Sequence, residues 1–493
     1  MNKRLVARSL TIASFLSITT ATLFNIFGQE NLHASRPMNV IFILSDDHRY
    51  DFMSFLDTPP FLETPNLDRI REKGMHFRNA FVSTALCSPS RASILTGQYA
   101  HRHGVVDNQR PVPEGTVFFP QILQGIGYQT AFFGKWHMGD ANDDPRPGFN
   151  HWESFRGQGD YYNPLLNING ERSQFEGYTA DILTDHSLEW LQAQSGEQPF
   201  FLYLSHKSVH AMFEPETADL GRYDDEQLTY PVTMANTPQN YAGHPPWVEA
   251  QRYSWHGVDY MYHGDMDFDT FYRRYTETLY SMDRSIGRLL DYLEANDLEE
   301  NTLIIYMSDN GFSFGEHGLI DKRHMFEESM RVPMLAYSPG MIEPGSTMHE
   351  MVQNIDIAPT ILSLAGAEVP GNMDGQSILP LLNQGDQDIP WRDSLIYEYY
   401  WEWNFPQTPT TIGLRSDRYK YIFYHGVWGD DELFDLQSDP METTNLFKSA
   451  EYQDTVNDMR NELFSILENN GGMNIPLRIP QGFRAAERGS TQE

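Results

Sequence analysis

Three apolar runs in this chain end abruptly in groups able to bind a cation or carry a proton. "NVIFILSDD" (residues 39–47) closes on Asp46 and Asp47, "TLIIYMSDNG" (302–311) on Asp309, Asn310 and Gly311, and "PFFLYLSHKSVH" (199–210) on His206 and His210. The acidic ends offer only oxygen donors, which favours a hard cation, Ca2+ or Mg2+, over zinc. A lone aspartate pair is an ordinary turn or helix cap, whereas two acidic ends on separate apolar runs point to one shared site. A fourth stretch, "LCSPSRASILTG" (86–97), holds the only cysteine, Cys87, followed by Pro89 and Arg91. With no second cysteine there is no intramolecular disulfide, so this thiol serves either packing or chemistry.

These groups need elements to bring them together. Apolar runs ending in functional side chains read as buried parallel strands, and open α/β sheets bind ligands beyond the carboxyl ends of their strands, so the three ends are expected to converge. Helical patterns lie between them at 64–74, 179–194 and 275–297, the last with a 3.6-residue apolar stripe. This order predicts an α/β fold, a large mixed, mainly parallel sheet flanked by helices. From about residue 386 the texture changes to "SLIYEYYWEW", "TTIGLRSDRYKYIFYH" and "DELFDLQSDP", which predicts a smaller antiparallel sheet packed on the main domain. The chain therefore divides into an N-terminal signal (1–35), a catalytic domain (36–385) and a C-terminal subdomain (386–493).

The signal rests on basic Lys3, Arg4 and Arg8, the apolar stretch "SLTIASFLSITTATLFNIFG" and the small-residue exit "HAS". It has no cysteine for lipid attachment and no later segment approaches a spanning length, so export to the periplasm or the medium without a membrane anchor is expected. At 68 acidic against 35 basic residues the formal net charge is -33, which excludes nucleic acid and anionic lipid as partners.

Taken together the motifs resemble the type I sulfatases of the alkaline phosphatase superfamily. Their pattern, Cys-x-Pro-x-Arg followed after four residues by Thr-Gly, is met by Cys87, Pro89, Arg91, Thr96 and Gly97. Further matching blocks are "SDDHRYD", "GKWHMG" (134–139), "SHKSVHAMFEP" (205–215), "SDNGFSFGEHG" (308–318), "DKRHMFEESMRVP" (321–333) and "DLQSDPMETTNL" (435–446). The resemblance implies an alkaline phosphatase-like fold and a Cys87 oxidised to formylglycine by a formylglycine-generating (sulfatase-maturating) enzyme. It also implies one Ca2+ held by Asp46, Asp47, Asp309, Asn310 and the modified residue 87. A sulfate ester is anionic and its cleavage builds negative charge on the leaving oxygen, so fixed cations and an acid are required. The resemblance assigns Lys135 and Lys322 to the sulfate oxygens, Arg91 to residue 87, His137 as base and His210 as acid. In the family pattern a proline precedes that acid and a second histidine follows it, whereas here Val209 and Met212 stand; alignment on Phe213 favours His210 over His206, which becomes a substrate-pocket or packing residue. His317 is expected to be supporting.

The substrate expected from export and from an aromatic and histidine-rich insertion (230–269) is a sulfated polysaccharide, ulvan-like, heparan-like or another glycan, because aromatic faces stack on sugar rings. The same insertion reads equally well as ordinary core of an elaborated loop. His206, Arg273, Trp401 and Trp403 are the candidate substrate contacts. Two other classes stand beside this one: a phosphodiesterase or phosphonate monoester hydrolase of the same superfamily, and a non-catalytic glycan-binding homologue. The last would be marked by loss of Cys87 or of a metal ligand, and none is lost.

Overall fold

A computed structural model describes residues 37–139, 142–261, 266–383 and 389–476, so the proposed signal and the 385/386 boundary lie outside the described residues. Ten strands form one sheet in the order Ser346–Met348, Met75–Phe77, Met334–Tyr337, Thr302–Ser308, Asn39–Ser45, Phe200–Ser205, Gln129–Lys135, His151–Phe155, Leu165–Ile168 and Glu171–Gln174. The stretch from Thr302–Ser308 to His151–Phe155 is parallel throughout, and antiparallel pairs flank it on both sides. The expected mixed, mainly parallel sheet is present.

The central strand Asn39–Ser45 is buried on both faces, and its side chains alternate between two cores. Val40, Phe42 and Leu44 join one, with Ala92, Ile94 and Leu95 of the helix Cys87–Thr96. Ile41 and Ile43 join the other, with Phe271, Tyr275, Leu279, Met282 and Ile286 of the helix Phe268–Ala295. Two covered faces explain why this strand is a continuous apolar run rather than an alternating one. The long helix begins seven residues before the expected 275, because Asp267 caps it by accepting from the Thr270 amide at 2.8 Å.

Register then sets the site. Ser45 pairs with Ser308, Leu44 with Ser205, and Gly134 also with Ser205. The residues that follow, Asp46, Asp309, His206 and the segment from Lys135, therefore leave the sheet side by side at one edge. The C-terminal sheet, Ser394–Tyr399, Thr411–Ser416, Tyr419–Tyr424 and Glu432–Asp435, is antiparallel throughout. It lies against the segment after Lys322: a Cβ on Gly413 would meet Met325 Sδ at 2.1 Å, and Lys420 Nζ donates to the Met325 carbonyl at 2.8 Å. From Met38 onward the described chain is one compact unit, so the C-terminal sheet is an integral wall rather than an appendage. Among the described residues no helix is long and apolar enough to cross a membrane.

Candidate active site

Cys87 is the first residue of a ten-residue helix, preceded by extended Leu86. Pro89 falls in the first turn, where a missing amide costs no hydrogen bond. Gly97 ends the helix in the left-handed region, at φ 66, with Met373 Sδ 2.9 Å from where a Cβ would stand. The four-residue spacing from Cys87 to Arg91 places both on one helix face. Arg91 is buried and donates from Nε to Asp309 Oδ2 at 2.9 Å and from Nη1 to the Lys135 carbonyl at 2.7 Å and Ser205 Oγ at 2.6 Å. One guanidinium thus joins the Cys87 helix to three strand ends.

Asp46, Asp47 and Asp309 each present an oxygen within 4.8 Å of the others, all buried. Asp47 has left-handed backbone at φ 60, a conformation that costs a non-glycine residue on the order of 1 kcal/mol or more. It is held there by its amide donating to Asp309 Oδ1 at 3.1 Å and its carbonyl accepting from Tyr275 at 2.8 Å. Burial pushes the Asp47 carboxyl up to about 7, and the charges of Asp46 and Asp309 add to that against Lys322. Burial acts in the same sense on Asp46, but Lys135, His210 and Arg91 beside it outweigh burial and hold it well below the usual carboxylate range.

Lys135 Nζ donates to Asp46 and Gln158, and Lys322 Nζ to Asp47 and, at 3.4 Å, to Cys87 Sγ. Burial alone would lower Lys322, but Asp47 and its neighbours keep it well above its ordinary value. Burial pushes the Cys87 thiol up to about 12, so an unmodified thiol here is protonated at neutral pH and a poor nucleophile.

The fit to a cation follows from the donor set and the charge. The three buried carboxylates already engage Arg91, Lys135 and Lys322, which leaves little surplus positive charge for a sulfate ester. A divalent cation would restore that surplus. Asn310 donates through Nδ2 to Asp47 at 2.7 Å, while its Oδ1 is buried with no hydrogen-bond partner, a neutral oxygen suited to the same ion.

His210 also forms part of this cluster: one of its ring nitrogens lies within 4.8 Å of both Cys87 Sγ and an Asp46 oxygen. Its Nδ1 contacts the Ala211 carbonyl at 2.5 Å and its own carbonyl accepts from Tyr161 at 2.6 Å, which leaves Nε2 toward Asp47, 3.9 Å away. Burial and the charges of Lys322 and Lys135 hold its pKa well below the ordinary histidine value. His137, in left-handed backbone at φ 54, is 3.2 Å from Gln158 Nε2, and its carbonyl accepts from Ser88 of the cysteine helix.

These groups open into a cavity of about 670 Å³. His137, His210 and Lys322 reach it from the sequence-designated set. It is also lined by Gln158, Asn108, Asp321, Arg323 and His256, none of which the sequence reading singled out, and by Trp255 and Phe405. Asp321 and Arg323 were visible only as a charged run around Lys322, and Gln158 only as a polar residue between two glycines. Asp321 is paired with Arg323 Nη1 at 3.0 Å and His256 Nδ1 at 2.9 Å, and the Arg323 charge, with the contact to His256, pulls its carboxyl below the usual range despite burial. A second cavity of about 420 Å³, beside Arg49 and Tyr230, contains none of these groups.

The expected substrate contacts divide. His206 lies fully buried with no hydrogen bond to its ring, and burial pushes it down to about 4; of the two roles expected for it, packing is the one its position allows. Arg273 is a correction: its guanidinium donates to the Tyr223 and Glu226 carbonyls, tying a loop to the long helix, and it does not line the cavity. Trp401 and Trp403 are exposed and outside the cavity, but Asn404 and Phe405 of the same loop form its wall. The 230–269 insertion does both things considered for it: Trp255 and His256 line the cavity, while Tyr241 and Val248 are core. His317 is buried, its ring stacked on Phe326.

Comparison with known proteins finds mainly sulfatases, with phosphonate monoester hydrolases among the solved structures of the same fold. A family model described as "Sulfatase" matches residues 38–367, and one described as "N-sulphoglucosamine sulphohydrolase, C-terminal" matches 315–469. The chain is 31% identical to an N-acetylglucosamine-6-O-sulfatase of Bacteroides thetaiotaomicron, over 92% of this chain and 89% of the relative. It is 32% identical to the N-acetylglucosamine-6-sulfatase of Homo sapiens, over 85% of this chain and 82% of the relative. A solved structure described as a complex with its substrate D-glucosamine-2-N,6-O-disulfate superposes with a TM-score of 0.83 at 30% identity, over 90% of this chain and all of the other.

Proposed function

The chain belongs to the sulfatase family and is a sulfuric ester hydrolase, and from that premise we propose that it removes a 6-O-sulfate from a glucosamine-type unit of a sulfated glycan outside the cytoplasm. The observation that carries the reading is the meeting of the Cys87 helix, three strand-end carboxylates and two buried lysines at the floor of one cavity. The substrate class is supported by the relatives' activities and by a cavity wall that pairs a fixed acceptor, Asp321, with fixed donors, Arg323 and His256, as sugar hydroxyls require. Export is supported by the basic and apolar pattern of residues 1–35.

Asp46, Asp47, Asp309, Asn310 and residue 87 would hold the ion, for which oxygen donors favour Ca2+. When present, the ion and a formylglycine at 87 supply Lewis acidity and an oxygen nucleophile on a carbon bearing two hydroxyls. Lys135 and Lys322 bind and orient the sulfate oxygens and stabilise charge that grows on the sulfuryl group. Arg91 fixes the residue 87 helix against Asp309, so the reacting centre does not drift. Gln158, whose carbonyl accepts from Lys135, donates its amide N–H to His137 Nε2, which places the imidazole proton on Nδ1; Nε2 becomes free to take a proton from residue 87 when that amide lets it go. His210, with Nδ1 committed to Ala211, offers Nε2 to the departing alcohol oxygen. Burial and the charges of Lys322 and Lys135 hold its pKa down, and an anionic ester beside it offsets the lysine part, which shifts the ring toward the protonated acid.

The test is release of sulfate from defined 2-, 3-, 4- and 6-O-sulfated sugars by protein shown by mass spectrometry to carry formylglycine, with products identified by mass. Release confined to 6-O-sulfated glucosamine units is expected. No release from that sugar alongside release from another would overturn the substrate assignment.

A further inference from the structure

Outside the cavity the described surface carries a group of exposed indoles at one end of the C-terminal sheet. Trp401 is 41% exposed, Trp403 55% and Trp428 90%. The pairings Tyr399 to Thr411 and Thr411 to Tyr424 put the loops 400–410 and 425–431 at the same end, and the His425 amide donating to the Thr410 carbonyl at 2.9 Å joins them. In the first loop the residues alternate. Glu402 points inward, wholly buried, accepting from Arg323 Nε at 2.9 Å and Tyr399 Oη at 3.0 Å. Trp401 and Trp403 on either side point out, and the Trp401 indole N–H is fixed on the Pro406 carbonyl at 3.3 Å. Because Arg323 directly follows Lys322 and stacks on Phe405 of the cavity wall at 3.9 Å, the indoles stand at a set distance from the sulfate-binding lysine.

Neither loop contains a lysine or arginine; of their acids, Glu402 is buried and Asp431 is buried accepting from Tyr421 Oη at 2.6 Å, which leaves Asp430 as the one that reaches the surface. Glu402 is paired with Arg323 at 2.9 Å and Asp430 with Lys448 at 3.7 Å. Loops with rigid aromatic faces and no lysine or arginine of their own, continuous with the wall of the cavity, suit an uncharged sugar ring and offer no counter-charge to a sulfated one.

We propose that Trp401, Trp403 and Trp428 form an accessory subsite that binds non-sulfated sugar units flanking the sulfated unit in the cavity, so that the enzyme selects sparsely sulfated stretches of its glycan. The inference rests on the reading of the cavity as a glycan sulfatase site. The experiment compares 6-sulfated N-acetylglucosamine with a trisaccharide carrying the same unit followed by two non-sulfated sugars, for wild type, Trp403→Ala and Trp428→Ala. The subsite predicts that each variant raises KM for the trisaccharide up to about tenfold, leaves kcat unchanged, and leaves the monosaccharide parameters at wild type. It also predicts that sulfating the flanking sugar lowers wild-type kcat/KM. Equal loss on both substrates, no loss on either, or preference for the sulfated flank overturns it. Calorimetric binding of the desulfated trisaccharide, weakened in the variants, reports the subsite without hydrolysis, whereas a wild type inactive on the monosaccharide sulfate defeats the parent reading instead.

Discussion

The carboxyl edge of the central sheet and the end of the C-terminal sheet both face substrate, yet they are built on opposite terms. At the first, the three carboxylates, the two lysines and Arg91 are buried, bonded to neighbours from distant parts of the chain, and surrounded by opposite charge: Arg91 alone ties Asp309, Lys135 and Ser205. At the second, the side chains stand in solvent on loops, anchored by one inward residue, Glu402. Charge works strongly where water is excluded and weakly where it is not, so bond cleavage belongs to the first region, while the second can only choose among neutral sugars by shape and stacking. Substitutions should therefore alter kcat by orders of magnitude at the sheet edge and KM by about tenfold at the rim.

The largest effect is expected at residue 87. Cys87→Ala should bring turnover to background while leaving the thermal unfolding midpoint near wild type, as measured by sulfate release and calorimetry. Full activity of protein whose Cys87 peptide is entirely unmodified by mass would break the comparison, because a thiol pushed up to about 12 should not act as the nucleophile.

Removing the cation should be nearly as severe. Exhaustive chelation should abolish activity and Ca2+ restore it; restoration by Zn2+ but not by Ca2+ would contradict the all-oxygen donor set. Lys135→Ala and Lys322→Ala come next, each lowering kcat by about 10² to 10³, the range found when one charge-stabilising donor is removed. Near-normal turnover in either would mean that the sulfuryl group does not sit between them. Moderate salt should scarcely affect wild-type kcat, since these cations are buried beyond effective screening.

His210 sharpens the contrast with its neighbour His206. As the acid, it matters in proportion to the basicity of the leaving alcohol. His210→Gln should slow a sugar sulfate by roughly 10² or more and an aryl sulfate, whose phenol leaves unaided, far less. His206→Phe should leave both rates unchanged.

The smallest effect is on stability against pH. His206 is held down to about 4 in the folded state by burial, against about 6.5 unfolded. Between those values the unfolded chain binds a proton that the folded chain does not. Its contribution is thus fully present above about pH 6.5 and lost as pH falls toward 4, at most about 1.4 kcal/mol per pH unit. His48 and His324, also pushed down to about 4 by burial, add to the same slope. His206→Phe should flatten the denaturation midpoint against pH over that window, and an unchanged slope would show that His206 is not buried neutral.

The amino-acid sequence by itself determined the elements and the residue types at their ends. Short, continuous, β-branched apolar runs read as strands covered on both faces, and the acidic residues where two such runs stop read as strand termini. The motif holding Cys87 and Arg91 was legible as a family pattern, but that it is a helix, with both side chains on one face, came from the structure. What the tertiary structure decided was every relation between elements. Strand register placed Asp46 beside Asp309. Loop closure brought Gln158 to His137 and Asp321 to His256, and packing turned Arg273 away to two backbone carbonyls. None of these has a local signature, because a polar side chain on a loop reads the same whether it meets solvent or a partner two hundred residues away; only the closed fold supplies the partner.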